Sequence, residues 1–183
     1  MLKAGWPFTS NILDNQWRDT YIPKSFIDSV AFGNSEYYET KHIFLAEYFS
    51  NNGKDSLAFN EYLSLIKTHP YLFKWYIDAI PYLITQRKYQ QALELLSSAP
   101  NRSDLYTYYY TAGTLNQKIG NNRFAILDFN QAFASTSEKN DKAKALIALF
   151  KIYKSTNDQG NAQKTLSLIK GINLNYAPDK FGK

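Results

Sequence analysis

The feature that most constrains this chain is an internal repeat. A long amphipathic stretch, a polar break and a second amphipathic stretch recur four times, and the second stretch has an alanine near its start in each copy. The polar breaks are rich in Asn, Gly and Asp, which typically end one helix and begin the next. The pattern therefore predicts a stack of helical hairpins that bury their apolar faces against one another. The alanines, 34, 33 and 37 residues apart, are Ala58, Ala92, Ala125 and Ala162.

The third copy, from about residue 106 to residue 136, shows the pattern most fully. The small residues Gly113 and Ala125 predict close approach of two helix backbones, one in each stretch of the copy. We expect the large side chains Tyr109 and Phe129 to fill the space around them. In full, the two stretches read Tyr109-x2-Ala112-Gly113-x2-Asn116 and Ala125-x3-Phe129-x2-Ala132.

This order of large, apolar and small residues, followed by Ala-x3-aromatic, resembles the tetratricopeptide repeat (TPR), whose unit is 34 residues long. About four degenerate copies cover residues 37–171. The resemblance implies an all-α fold: a right-handed superhelical stack of antiparallel helical hairpins, or TPR-like α-solenoid. Residues 1–36 are then an N-terminal cap or the trailing edge of a further domain, and residues 172–183 a C-terminal tail.

The apolar periodicity and the breaks predict eight helices in the repeat region, two for each copy. A shorter helix is expected near 23–32, where Pro23 provides a suitable first-turn residue. The eight helices are predicted at 37–51, 55–67, 71–86, 89–98, 103–119, 122–134, 139–156 and 159–170.

The residues that usually perform catalysis or bind metal are sparse. There is no cysteine, and neither His42 nor His69 lies at a metal-ligand spacing. We expect His42 to pack between helices and His69 to be solvated in a turn. Nucleotide-binding loops and nucleophile motifs are absent, so the sequence predicts a non-catalytic protein without metal or cofactor.

Neither end of the sequence identifies a compartment. The N-terminus lacks the apolar segment of a signal peptide, and no apolar run reaches the roughly 18–20 residues that a membrane span needs. The sequence is compatible with the cytoplasm and, for a chain whose signal has been removed, with the periplasm. The oligomeric state is not predicted.

The positive charge is concentrated at one end. The formal net charge is +5, and residues 139–183 contain nine lysines against three aspartates. A solvated lysine-rich helix pair explains this, but an acidic protein partner, an anionic lipid or a nucleic acid would also fit. Nucleic acid is disfavoured because this quarter of the chain contains no arginine.

The TPR resemblance implies that a partner binds in a concave groove lined by the first helix of each repeat. The leading interpretation is therefore a module that binds a peptide or helix of a protein partner, which the basic end would allow to be acidic. The alternative is an accessory domain of a larger enzyme or cell-envelope protein. The partner-binding candidates by repeat phase are Lys74, Tyr110, Thr114, Gln117, Lys118, Lys144, Lys151 and Lys154.

Overall fold

A computed structural model describes residues 35–172, and within that range the chain is all helical, with eight helices and no strand. The residues divide into two compact units, with the boundary between His69 and Pro70. The first unit contains α1 and α2, and the second contains α3 to α8. The helices are α1 (Ser35–Asn51), α2 (Asp55–Thr68), α3 (Phe73–Thr85), α4 (Tyr89–Ser97), α5 (Leu105–Ile119), α6 (Asn122–Ala134), α7 (Lys139–Ser155) and α8 (Gln159–Ile172).

The predicted helices are confirmed, each within two residues of the observed bounds. The fold class is confirmed as well: the chain is a TPR-like α-solenoid of helical hairpins. Residues 35 and 36 belong to α1 and residue 172 to α8. The rest of the expected cap, the helix predicted at 23–32 and the rest of the tail lie outside the described residues.

The first unit is the hairpin of α1 and α2. Ala46 and Ala58 are fully buried, as the repeat pattern predicts for small residues between helices. His42 is buried too, and its Nδ1 lies 2.5 Å from Oε2 of Glu61 on α2, so the packing role predicted for it is confirmed. His69 differs from the prediction, because it is only partly exposed and its Nε2 lies 3.4 Å from Oε1 of Glu39.

The second unit consists of three hairpins, α3–α4, α5–α6 and α7–α8, in which each helix packs on the next along the chain. The repeat alanines Ala92, Ala125 and Ala162 are at most 2% exposed. A larger side chain at these positions would push the helix backbones apart. Ala125 and Phe129 on α6 join a buried apolar cluster with residues of α7 and α8. The core of this unit therefore lies between the helices at the positions that the repeat pattern predicts.

Local signals at both ends fix the position of α5. Asp104 precedes the helix, and its carboxylate accepts hydrogen bonds from the backbone N–H and the hydroxyl of Thr107. Gly120 ends the helix with φ of 93°, a left-handed conformation that costs glycine little and other residues much more. These two residues thus determine where α5 begins and where it ends.

Candidate partner-binding face

The candidate site lies on α5 and α7, the first helices of two consecutive hairpins, which also contact each other directly. We call it the α5–α7 face. Most of its residues lie three, four or seven positions apart and so share one side of their helix, and Gln117 lies next to Lys118. They are Tyr106, Tyr110, Thr114, Gln117 and Lys118 on α5, and Asp141, Lys144, Lys151 and Lys154 on α7.

Two stacked tyrosines form the aromatic part of this face. The rings of Tyr106 and Tyr110 have centroids 5.6 Å apart and planes inclined by 26°. The Tyr110 ring also meets Phe129 edge to face, with centroids 5.5 Å apart. Tyr110, which repeat phase makes a partner-binding candidate, is therefore half-buried and in contact with the core. Tyr109, predicted to be buried, is half-buried as well.

The Tyr106 hydroxyl is the most unusual polar group on the face. Its oxygen is buried and makes no hydrogen bond of ordinary geometry within the described residues, although the carboxylate of Asp141 is near enough to accept a weak one. Burial is the main reason why its pKa is raised well above the usual value, and the negative charge of Asp141 on α7 raises it further. The phenol therefore stays protonated, next to a carboxylate of the neighbouring hairpin.

Asp141 also bonds to Lys144, the first of the predicted partner-binding lysines on α7. Its Oδ1 accepts a hydrogen bond of 2.8 Å from Nζ of Lys144, three residues further along the helix. The same contact raises the pKa of the Lys144 ammonium, which is solvent-exposed. Asp141 and Tyr106 were missed as site residues in the sequence. Their spacings of three residues from Lys144 and four from Tyr110 were the signals that could have found them.

The remaining candidates on α5 differ in how far they are available to a partner. Thr114 is partly buried, and its hydroxyl donates a 2.8 Å hydrogen bond to the backbone carbonyl of Tyr110. Its methyl group and the acceptor side of its hydroxyl oxygen are therefore left for contact. Gln117 and Lys118 are exposed at the end of the helix, where they present an amide and an ammonium group to solvent.

The other predicted lysines lie in different surroundings. Lys151 and Lys154 are exposed on the last two turns of α7. Lys74 lies on α3, where its ammonium is 2.5 Å from Oδ2 of Asp78 and 4.2 Å from the centre of the Trp75 ring. The structure thus brings Tyr110 and Lys144 together, whereas the partners of Lys74 are on its own helix.

Within residues 35–172, no group of His, Asp and Glu side chains is arranged to hold a metal ion. None of the helices in that range is both long enough and apolar enough to cross a bilayer. The face presents two phenol rings, an amide, and ammonium groups along one helix.

No protein-family model and no curated protein matches this chain. Solved structures do match it. The crystal structure of the MamA protein superposes with a TM-score of 0.62 and 19% identity, covering 74% of this chain and 73% of that one. MamA 41-end from Desulfovibrio magneticus RS-1 superposes with a TM-score of 0.63 and 15% identity, covering 88% and 91%. At such low identity these likenesses show the helical-repeat fold.

Proposed function

We propose that this chain is a non-catalytic protein-interaction module, and that its α5–α7 face binds a peptide or helix of a partner. The observation that carries the proposal is the Tyr106–Tyr110 stack, anchored on Phe129 and flanked by exposed amide and ammonium groups. The MamA likeness supports the repeat scaffold on which such a face is built.

The anchoring of the tyrosines favours binding. An aromatic ring that already packs on a core loses little conformational entropy when a partner covers it, and tyrosine offers both apolar area and a hydroxyl. Tyr110 is restrained on two sides, by Tyr106 and by Phe129. Interfaces commonly concentrate their binding energy in such preorganised aromatic residues, with a polar rim around them.

Site-specific photo-crosslinking tests where the partner binds. A benzophenone amino acid replaces Gln117 on α5 or, as the control, Gln131 on α6; both are exposed glutamines on helices of the same hairpin. After irradiation in a lysate of the source organism, we expect one protein to crosslink from position 117 and not from position 131. Equal crosslinking from both positions, or none from position 117, would contradict the proposal.

The partner identified by crosslinking is then purified, and a binding titration with it tests the aromatic anchor. Tyr110→Ala should speed dissociation, because it removes a packed contact. Tyr71→Ala is the control, since Tyr71 is 74% exposed and lies outside the face. Because Tyr110→Ala also removes a contact with Phe129, Gln117→Ala provides a second variant without a core contact. Unchanged binding by both variants would exclude the face.

A further inference from the structure

We propose that the segment that docks on the α5–α7 face is acidic, and that the lysines of α7 select it. This inference rests on the proposed function and adds the chemistry of the partner. Its basis is the excess of positive over negative charge on the two helices that form the face.

Together, α5 and α7 contain six lysines and a single carboxylate, that of Asp141. Asp141 bonds to Lys144, so that its charge is balanced at the beginning of α7. Beyond this pair, neither helix contains an acidic residue, whereas Lys118, Lys151 and Lys154 follow towards the helix ends. The last two turns of α5 and of α7 therefore contain lysines and no acidic residue, which favours a negatively charged partner there.

The dimensions suit a short peptide. Lys144 and Lys154 are ten residues apart, which is about 15 Å along an α-helix. An extended peptide covers that distance with about five residues. A segment of that length with several carboxylates can therefore place one near Lys151 and one near Lys154 while an apolar side chain of the same segment lies on Tyr110.

The composition of the face favours carboxylates over nucleic acid. Neither α5 nor α7 contains an arginine, the residue that grips phosphates with two parallel hydrogen bonds. Lysine ammonium groups act as point charges, which is sufficient for flexible carboxylate side chains.

A labelled poly-glutamate peptide is the probe, and fluorescence anisotropy at low and high salt is the measurement. Lys151→Glu/Lys154→Glu should weaken binding at low salt by about tenfold or more, and should reduce its salt dependence. The matched control is Lys164→Glu/Lys170→Glu, which makes the same charge change at exposed positions of α8. We expect the control to lose much less affinity.

Equal losses in the two variants would overturn the inference, because net charge rather than the face would then determine binding. Stronger binding of a single-stranded oligonucleotide or of anionic vesicles, lost in the α7 variant, would overturn it too. Thermal melting of both variants, together with Lys151→Gln/Lys154→Gln, separates binding from folding. If the Gln117 crosslink to its partner persists unchanged in the α7 Glu variant, the acidic-partner inference fails while the proposed function stands.

Discussion

The ring of Phe129 on α6 lies directly against Gly113 on α5. A methyl group at position 113 would be 2.9 Å from both Cδ1 and Cε1 of that ring, closer than carbon atoms approach without displacement. Phe129 also supports Tyr110, whose ring meets it edge to face. One side chain therefore sets the spacing of the α5–α6 hairpin and anchors the aromatic part of the candidate site.

Gly113→Ala should destabilise the protein by about 1–3 kcal/mol, because the added methyl group forces Phe129 or the helix to move. Gly171→Ala is the control, since a methyl group at that position of α8 meets no atom within 4 Å. Denaturant unfolding of the two variants gives the comparison. If Gly113→Ala is as stable as the control, the ring yields easily and the hairpin spacing does not depend on glycine.

Ala125→Leu tests the second small residue of the same hairpin. Ala125 is fully buried in the cluster that includes Phe129 and Leu146, so three additional carbons should cost about 1–3 kcal/mol. Ala134→Leu serves as the control because Ala134 is exposed on the same helix. A melting temperature unchanged in Ala125→Leu would show that the repeat register around α6 is wrong.

Asp128→Asn should stabilise the protein at neutral pH. Burial raises the pKa of Asp128, although the hydrogen bond from Asn116 partly opposes this, so the charged form is disfavoured in the folded state. Because the pKa of Asp128 is higher in the folded than in the unfolded state, the protonated side chain at low pH does not destabilise the fold. The free energy of unfolding then falls as the pH rises through the folded-state pKa and the carboxylate ionises. Asp128→Asn should therefore be more stable than the wild type at pH 7, and the difference in stability should disappear below about pH 4, where Asp128 is protonated in both states. Melting temperatures across this range measure it, and a less stable variant at pH 7 would contradict it.

Tyr106→Phe should leave stability unchanged or slightly raised, because the buried hydroxyl makes no hydrogen bond of ordinary geometry among residues 35–172 and Asp141 is at best a weak acceptor. Tyr76→Phe is the matched control. The hydroxyl of Tyr76 donates to the Pro70 carbonyl at 3.0 Å, and its loss should cost about 1 kcal/mol. Equal losses in the two variants would indicate that the Tyr106 hydroxyl is bonded after all, with Asp141 as the nearby acceptor.

The helices and the small buried positions could be predicted from the sequence because their causes are local. The polar breaks and the amphipathic period located all eight described helices, and the alanine spacing identified Ala58, Ala92, Ala125 and Ala162 as buried. Helix ends depend on a few adjacent residues such as Asp104 and Gly120, which can be recognised without knowledge of distant contacts. Within the second unit, the repeat also predicts that each hairpin packs on the next.

The composition of the candidate site depends on tertiary structure. Repeat phase placed Tyr110 and Lys144 on one side of their helices, but it could not show that Tyr110 rests on Phe129, or that Asp141 adjoins Tyr106. The expected solvation of His69 is only partial for the same reason, since its side chain is 27% exposed and Glu39 on the facing helix lies next to it. Such contacts depend on side-chain rotamers and on the offset between helices. Both are decided only when the whole core packs, because one interior arrangement must satisfy many neighbours at once.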